Sequence, residues 1–259
     1  MACKPFFEDW TMSFPVTGVT ALVTGANRGI GEAIVNALFA AGARKVYAGA
    51  RNVADLAPLK TLHGNKIVPL QLDVTNADDI ARAVAAAADV QLLVNNAGVA
   101  AYAGGAFTDP QWIAAGRAEM EVNFFGTFAM TQAFAPVLAK NGGGAVANLA
   151  SVASLSSFPL FVAYSASKAA THSITQSTRA MLKAQGTQVF GVYPGPIDTR
   201  MAEPISFDKT SPAAAADEIV AGIIAGSEEI FPDPMSVGMG AAFLSDPKGL
   251  ERQVAGMVA

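Results

Sequence analysis

Cysteine, histidine and charge are all scarce in this chain of 259 residues. A single cysteine, Cys3, excludes an internal disulfide framework and a cysteine-rich metal centre. The two histidines, His63 and His172, lie far apart, so no metal site is expected. Charged residues make up 15% of the chain and the net charge is -4, which gives no nucleic acid a basic surface to bind. No uninterrupted apolar run reaches the roughly eighteen residues of a membrane span. The opening, MACKPFFEDWTMSFP, carries Glu8 and Asp9 and lacks the apolar core of a secretory signal. A cytoplasmic protein without a membrane partner is expected, with Cys3 inert near its terminus.

What the chain has instead is apolar bulk. Hydrophobic residues make up 52% of it, as a sheet buried on both faces requires. Short β-like runs at 19–23, 45–50, 66–72, 91–94, 145–150, 188–193 and 229–231 alternate with helical spacing at 30–41, 54–62, 77–88, 110–140, 162–184, 212–225 and 249–257. Pro136 is expected to bend the end of the 110–140 helix. The alternation predicts an α/β fold: a single-domain Rossmann fold with a doubly wound, seven-stranded parallel sheet and helices on both faces. Residues 1–15 read as an N-terminal extension and 16–259 as one domain. Within it, the charged, proline-bearing stretch 200–211 lies where a substrate lid would lie.

Ligands of such sheets gather at the carboxyl ends of the strands. TGANRGIG (24–31) ends the first strand and opens the first helix. Gly25, Gly29 and Gly31 let the backbone turn and approach phosphate oxygens, and the helix N-terminus adds positive charge. The second strand ends in Ala50 and Arg51, with no acid to accept from a ribose 2′-hydroxyl. Arg28 and Arg51 suit a 2′-phosphate, so NADP(H) is expected over NAD(H). Asp73 after the third strand either accepts from the adenine amino group or caps the next turn. Asn96, Ala97 and Gly98 follow the fourth strand, where Gly98 lets the chain pass close to a ribose; Asn95 is expected to pin neighbouring strands.

Tyr164 and Lys168 stand at i and i+4 on one helical face. A free phenol, with a pKa of about 10, is a poor base near neutrality. A neighbouring ammonium is expected to move it toward the useful range. Ser151 ends the fifth strand, where it can hydrogen-bond a reacting oxygen.

TGANRGIG, LDV, NNAG, the VN of EVNFFG, Ser151, YSASK and PGPIDT follow one another at spacings that resemble the short-chain dehydrogenase/reductase family, over about 16–231. The resemblance implies an oxidoreductase in which Tyr164 is the general acid or base. Lys168 would tune Tyr164 and hold the nicotinamide ribose, Ser151 would polarise the carbonyl, and Asn123 would hold a relay water. It adds Asn27, Ile30 and Val74, within their motifs, to the cofactor-binding set. Pro194, Gly195, Ile197 and Thr199 would lie along the nicotinamide, with the Ile197 backbone and the Thr199 hydroxyl anchoring its carboxamide. EEIFPDP departs from the family's paired-glycine ending and argues against its usual tetramer. A homodimer or homotetramer is still expected, through helices carrying Ala118, Gly126, Ala169 and Ala170.

The expected pocket wall is apolar: Val99, Ala101, Tyr102, Leu155, Phe158, Leu160, Phe161, Met201, Ile205 and Phe207. It suits a small apolar ketone, aldehyde or secondary alcohol as substrate. His172 reads as a packed helix residue. The main reading is an NADPH-dependent carbonyl reductase. A carrier-linked 3-oxoacyl reductase, a steroid or sugar alcohol dehydrogenase and a catalytically silent NADP(H) sensor are the alternatives.

Overall fold

Apolar strands that alternate their side chains between two faces need cover on both, and this chain supplies it. The computed structural model describes residues 12–101, 105–203 and 205–258. Its strands are β1 (Thr20–Thr24), β2 (Lys45–Ala50), β3 (Ile67–Gln71), β4 (Leu92–Asn95), β5 (Ala145–Leu149), β6 (Gln188–Val192) and β7 (Glu229–Ile230). They form one sheet in the order β3-β2-β1-β4-β5-β6-β7, every pair parallel. This is the doubly wound Rossmann arrangement expected. Its order reverses beside β1, which opens a crevice at the carboxyl ends of β1 and β4.

Ala21, Val23, Leu92, Val94, Phe190 and Val192 face one apolar layer. There they meet Ile34 and Leu38 of α1 (Gly29–Ala40) and Ile219 and Ile223 of α7 (Pro212–Ala225). Leu22, Leu93, Val146 and Val189 face the opposite layer, against Ile80 of α3 (Ala77–Ala86) and Met130, Phe134 and Leu138 of α5 (Thr127–Lys140). Phe14, assigned above to the extension, is buried in the first layer and donates its N–H to the Ile224 carbonyl at 3.1 Å. Cys3 lies outside the described residues.

The remaining helices are α2 (Ala57–His63), α4 (Gln111–Glu119), α6 (Val162–Leu182), α8 (Pro234–Ser245) and α9 (Pro247–Ala255). Three features correct the sequence reading. The 110–140 helix is not uniform: α4 passes through a π-helical turn, Met120–Gly126, into α5, which runs on past Pro136. Gly126 meets Val74 across this turn, where a Cβ would lie 2.6 Å from Val74 Cγ2. The continuous segment Gln111–Lys140 is also long and apolar enough by composition for a membrane span, a property that counting uninterrupted runs overlooked. Here Trp112, Met130, Phe134 and Leu138 are buried in the protein itself.

The second correction is α8, in a stretch between 232 and 248 to which no element was assigned. Gly238 and Gly240 weaken its helical pattern, but Asp233 and Ser236 form a reciprocal capping box around Pro234 at the first turn. Met239 of α8 with Leu250 and Val254 of α9 pack on Val152, just beyond β5. The third concerns the small residues expected at a subunit face. Ala118 and Ala169 are exposed, but Gly126 faces inward to Val74.

A buried polar ladder locks the centre. Asn95 Nδ2 donates to Thr131 Oγ1 (2.9 Å) and to Asn148 Oδ1 (2.8 Å), and Asn148 Nδ2 donates to Thr175 Oγ1 (3.0 Å). It joins β4 and β5 to α5 and α6, the pinning role expected of Asn95.

Two glycine substitutions should act in opposite directions. Gly126→Ala drives a methyl into Val74 and should destabilise by about 1–3 kcal/mol. Gly238→Ala, in an exposed helical position with open space around it, should stabilise by roughly 0.5–1 kcal/mol. Urea unfolding midpoints of the two variants check both signs.

Candidate active site

The glycine loop is built by conformation and by lack of space. Gly25 (φ 63°) and Gly29 (φ 58°) take left-handed backbone that side-chain-bearing residues avoid. A Cβ on Gly31 would collide with the Gly25 carbonyl and the Asn96 amide. Asn96 Nδ2 donates to the Thr24 and Gly25 carbonyls (2.8 and 3.1 Å), while Thr24 Oγ1 accepts from the Asn96 and Ala97 amides (3.0 and 2.9 Å). The loop therefore hands the chain into α1 with the helix's first N–H groups, which have no intrahelical acceptors, at the crevice.

A cleft of about 980 Å³ runs from this loop across the carboxyl ends of the strands. It brings together Gly25, Asn27, Arg28, Gly29, Ile30, Gly31, Arg51, Asp73, Val74, Asn96, Ala97 and Gly98 from the first half of the chain. From the second half come Ser151, Tyr164, Lys168, Pro194, Gly195, Ile197 and Thr199. Two parts of the sequence that share no local structure thus line one space.

Arg28 and Arg51 are exposed at its rim and Ala50 is buried beneath them. Asp73 Oδ1 accepts from the Thr75 N–H and hydroxyl at 2.9 and 2.8 Å, so it caps the turn while also lining the cleft. The Thr75 N–H holds this carboxyl below its usual range, and the Arg51 charge adds to the effect. Arg51 therefore has an acid nearby that its own strand does not reveal.

α6 carries Tyr164 and Lys168 one turn apart. Lys168 is only 5% exposed, and its Nζ donates to the Leu149 carbonyl at the end of β5 (2.7 Å) and lies 5.7 Å from the Tyr164 ring centre. Burial lowers the Lys168 ammonium from 10.5 to about 8. Burial also pushes the Tyr164 phenol up to about 12; the Ser151 hydroxyl, hydrogen-bonded to it, pulls downward, and the Glu119 charge pushes up again. In the protein alone, desolvation thus moves the phenol away from neutrality, opposite to the direction expected from the neighbouring ammonium. Ser151 Oγ accepts from the Ala153 N–H (3.1 Å) and donates to the Pro194 carbonyl (3.4 Å).

Asn123 is the exception among the expected catalytic residues: it does not line the cleft. From the π-helical turn its Nδ2 donates to the Val99 carbonyl and Ser167 Oγ (both 2.9 Å), and its Oδ1 accepts from the Val99 N–H (2.8 Å). Its own carbonyl accepts from Thr171 Oγ1 at 3.0 Å. Asn123 supports the cleft wall from behind, beside Gly98.

Of the expected apolar wall, Val99, Phe158, Phe161, Met201, Ile205 and Phe207 line the cleft. Leu155 packs against the small α8–α9 cluster instead, and Ala101 and Leu160 are exposed away from the cleft. Tyr102 lies outside the described residues. The 200–211 stretch borders the cleft and is pinned at its base, where the Asp198 N–H donates to the Thr210 carbonyl (2.9 Å) and the Thr210 N–H to the Pro196 carbonyl (3.1 Å). His172 is half-buried, its Nδ1 2.7 Å from the Tyr193 hydroxyl.

The sequence reading missed Glu119, fully buried on α4, whose Oε1 accepts from the Ala101 N–H at 2.7 Å. It also missed Met235 of α8, which lines the cleft, and Asp233 before it. The D-P-x-S spacing of a capped helix start was the signal available for the last two.

Comparison with known proteins agrees with this geometry. The family model described as short chain dehydrogenase matches residues 19–210. A short chain dehydrogenase of Monascus purpureus is 36% identical, over 78% of this chain and 75% of its own length. A 3-oxoacyl-[acyl-carrier-protein] reductase of Synechocystis sp. is 32% identical, over 73% and 78%. Among solved structures, a short chain dehydrogenase from Burkholderia cenocepacia, in complex with NADP, superposes with a TM-score of 0.86 at 38% identity, covering 93% of this chain and 99% of its own. The chain belongs to the short-chain dehydrogenase family and is an oxidoreductase.

The buried ammonium has a consequence for stability. The folded pKa of Lys168 is depressed, so its contribution is most favourable above about 10.5 and is lost as pH falls through about 8. Lys168→Met should therefore melt higher than the parent at pH 7, and the gap should narrow as pH rises from 8 toward 10.5. Thermal melts across that range check the sign.

Proposed function

We propose that this protein is an NADPH-dependent carbonyl reductase of hydrophobic ketones and aldehydes, running in reverse on secondary alcohols. The observation that carries the proposal is the convergence of Ser151, Tyr164 and Lys168 on an apolar-walled cleft that also holds the glycine loop. The cradle fits a dinucleotide: Gly25 and Gly31 leave no room for side chains, and a Cβ on Gly98 would come within 3.5 Å of Lys168 Nζ. Arg28 and Arg51 at the rim favour a 2′-phosphate, and the Burkholderia relative holds NADP.

When bound, the nicotinamide supplies the hydride that adds to the carbonyl carbon. Ser151 turns its hydroxyl from the long 3.4 Å bond to the Pro194 carbonyl and donates to the substrate carbonyl oxygen, orienting it. Tyr164, kept protonated by burial, gives its phenolic proton to that oxygen as negative charge develops there. Lys168 stabilises the phenolate left behind, and at about 8 its own pKa lies near the operating range. Asn123 holds the Val99 backbone and so the far wall of the cleft. Phe158, Phe161, Met201, Ile205 and Phe207 exclude water around the reacting carbon.

A second reading, reduction of carrier-linked 3-oxoacyl chains, draws support from Arg200, exposed at the cleft border, and from the Synechocystis relative. Assembly as a homodimer or homotetramer is part of the proposal. Phe125 and Phe128, 50% and 44% exposed, and the exposed Ala166 and Ala169 of α6 offer an apolar face for it.

Tyr164→Phe should lower NADPH-dependent reduction of an apolar ketone panel by about 10²–10⁴-fold, with NADPH affinity within a few-fold of the parent. Arg51→Asp should weaken NADPH binding by about tenfold or more, the worth of one charge-assisted contact, and leave NADH binding little changed. Absorbance assays and calorimetric titration read both. A parent enzyme that prefers NADH would refute the arginine argument and leave the chemistry standing.

A further inference from the structure

One peptide plane joins the reacting serine to the C-terminal helices. The carbonyl of Pro194 accepts from the Val152 N–H at 3.0 Å and from Ser151 Oγ at 3.4 Å. At the other end of the same peptide, the Gly195 N–H donates to Asp233 Oδ2 at 2.7 Å. Asp233 is 6% exposed, and its second oxygen accepts from the Ser236 N–H at 2.9 Å to cap α8. The Asp233 N–H in turn donates to Ser236 Oγ at 3.0 Å. Gly195 is required for this approach, since a Cβ there would lie 2.7 Å from Asp233 Oδ1 and 3.3 Å from Met235 Cβ. Pro194 and Pro196 on either side restrict the backbone to a narrow range of φ. Ile197 and Thr199, which follow at once, face the cleft.

We propose that Asp233 is a positioning residue. It fixes the peptide between Pro194 and Gly195, and through it both the Ser151 hydroxyl and the Ile197–Thr199 wall against which the nicotinamide half of the cofactor lies. The inference rests on the NADP(H) reading above and adds a residue from a segment that the family match, ending at residue 210, does not reach. A carboxylate gives two acceptor oxygens to two N–H donors. Asparagine is as good an N-cap as aspartate but has only one acceptor oxygen, so it can keep α8 capped while leaving the Gly195 N–H without its partner.

The test is calorimetric titration of NADP⁺ and of 2′,5′-ADP, which has the adenine half alone, into the parent, Asp233→Asn and Ser236→Ala. Thermal midpoints and hydrogen exchange at the Gly195 amide are measured alongside. In Asp233→Asn, NADP⁺ affinity should fall by about tenfold, as expected for a lost charged hydrogen bond, with 2′,5′-ADP affinity unchanged and the Gly195 amide exchanging faster. Ser236→Ala should lower the midpoint without either effect. Unchanged NADP⁺ affinity with a still-protected Gly195 amide in Asp233→Asn would overturn the proposal and leave Asp233 as a helix cap. So would an equal loss of affinity for both ligands. If the parent binds neither ligand, the cofactor reading itself fails, an outcome distinct from a variant effect.

Discussion

The contact on which the rest of the site depends is the one between Lys168 Nζ and the Leu149 carbonyl. It ties the middle of α6 to the last residue of β5, at the edge of the sheet where the cleft begins. With that register set, Tyr164, one turn earlier on the same face, comes over the strand end beside Ser151. The lysine is buried because only a buried lysine can reach that carbonyl from α6. Its weakened basicity follows from the burial. An ammonium near its titration point and a phenol held protonated, well below its own, are two results of one placement. The site sacrifices some stability to hold them there, as functional sites commonly do.

The two halves of the cleft are kept in one frame by adjacent asparagines. Consecutive residues at a strand end point to opposite sides. Asn96 turns toward the glycine loop and holds the Thr24 and Gly25 carbonyls, while Asn95 turns inward to Asn148 and Thr131. From Asn148 the ladder passes to Thr175 on α6, the helix that carries Tyr164 and Lys168. The glycine loop and the Tyr164–Lys168 pair are thus connected through adjacent asparagines, Asn96 lining the cleft and Asn95 buried behind it. The ladder pairs both donor bonds of Asn95 Nδ2 and leaves its buried Oδ1 without a hydrogen-bond partner among the described residues, so the arrangement of strands and helices is specified by the donors.

The sheet was legible in the sequence because each strand is an apolar run closed by a polar or glycine-bearing motif, and the motifs mark the carboxyl ends. The glycines of the cleft were legible because close backbone approach leaves a glycine where nothing else fits. What was not legible depends on contacts between segments distant in sequence. The π-helical turn at Met120–Gly126 goes with the meeting of Gly126 and Val74, which periodicity within the helix cannot show. Asn123 lies on the motif that the family uses, yet faces Val99 and Ser167 rather than the cleft, because the wide turn rotates it inward. The direction of the Tyr164 shift was misjudged because charge spacing is visible in a sequence and desolvation is not. α8 was hidden by two glycines, although the aspartate and serine that cap it stood in plain order.

The C-terminal helices α8 and α9 are held to the rest of the site by fewer contacts than the central strands. The frame from β1 to β6 is bound by ladders and by closely packed glycines such as Gly31 and Gly126. The wall that would meet substrate comes largely from Met201, Ile205, Phe207 and Met235, on segments secured to that frame by short anchors. One anchor is the pairing of Ile197 with Thr210 and the other is Asp233 on Gly195. Methionine side chains are unbranched and adapt their shape to what they contact. An apolar wall separates substrates that differ by one methylene by only about 1–3 kcal/mol. The architecture therefore combines a closely packed glycine loop and a buried Lys168 with an apolar wall that, on the proposed function, would select by shape. Such a wall can be rebuilt residue by residue as long as its two anchors keep the loop from Pro194 to Thr199 in place.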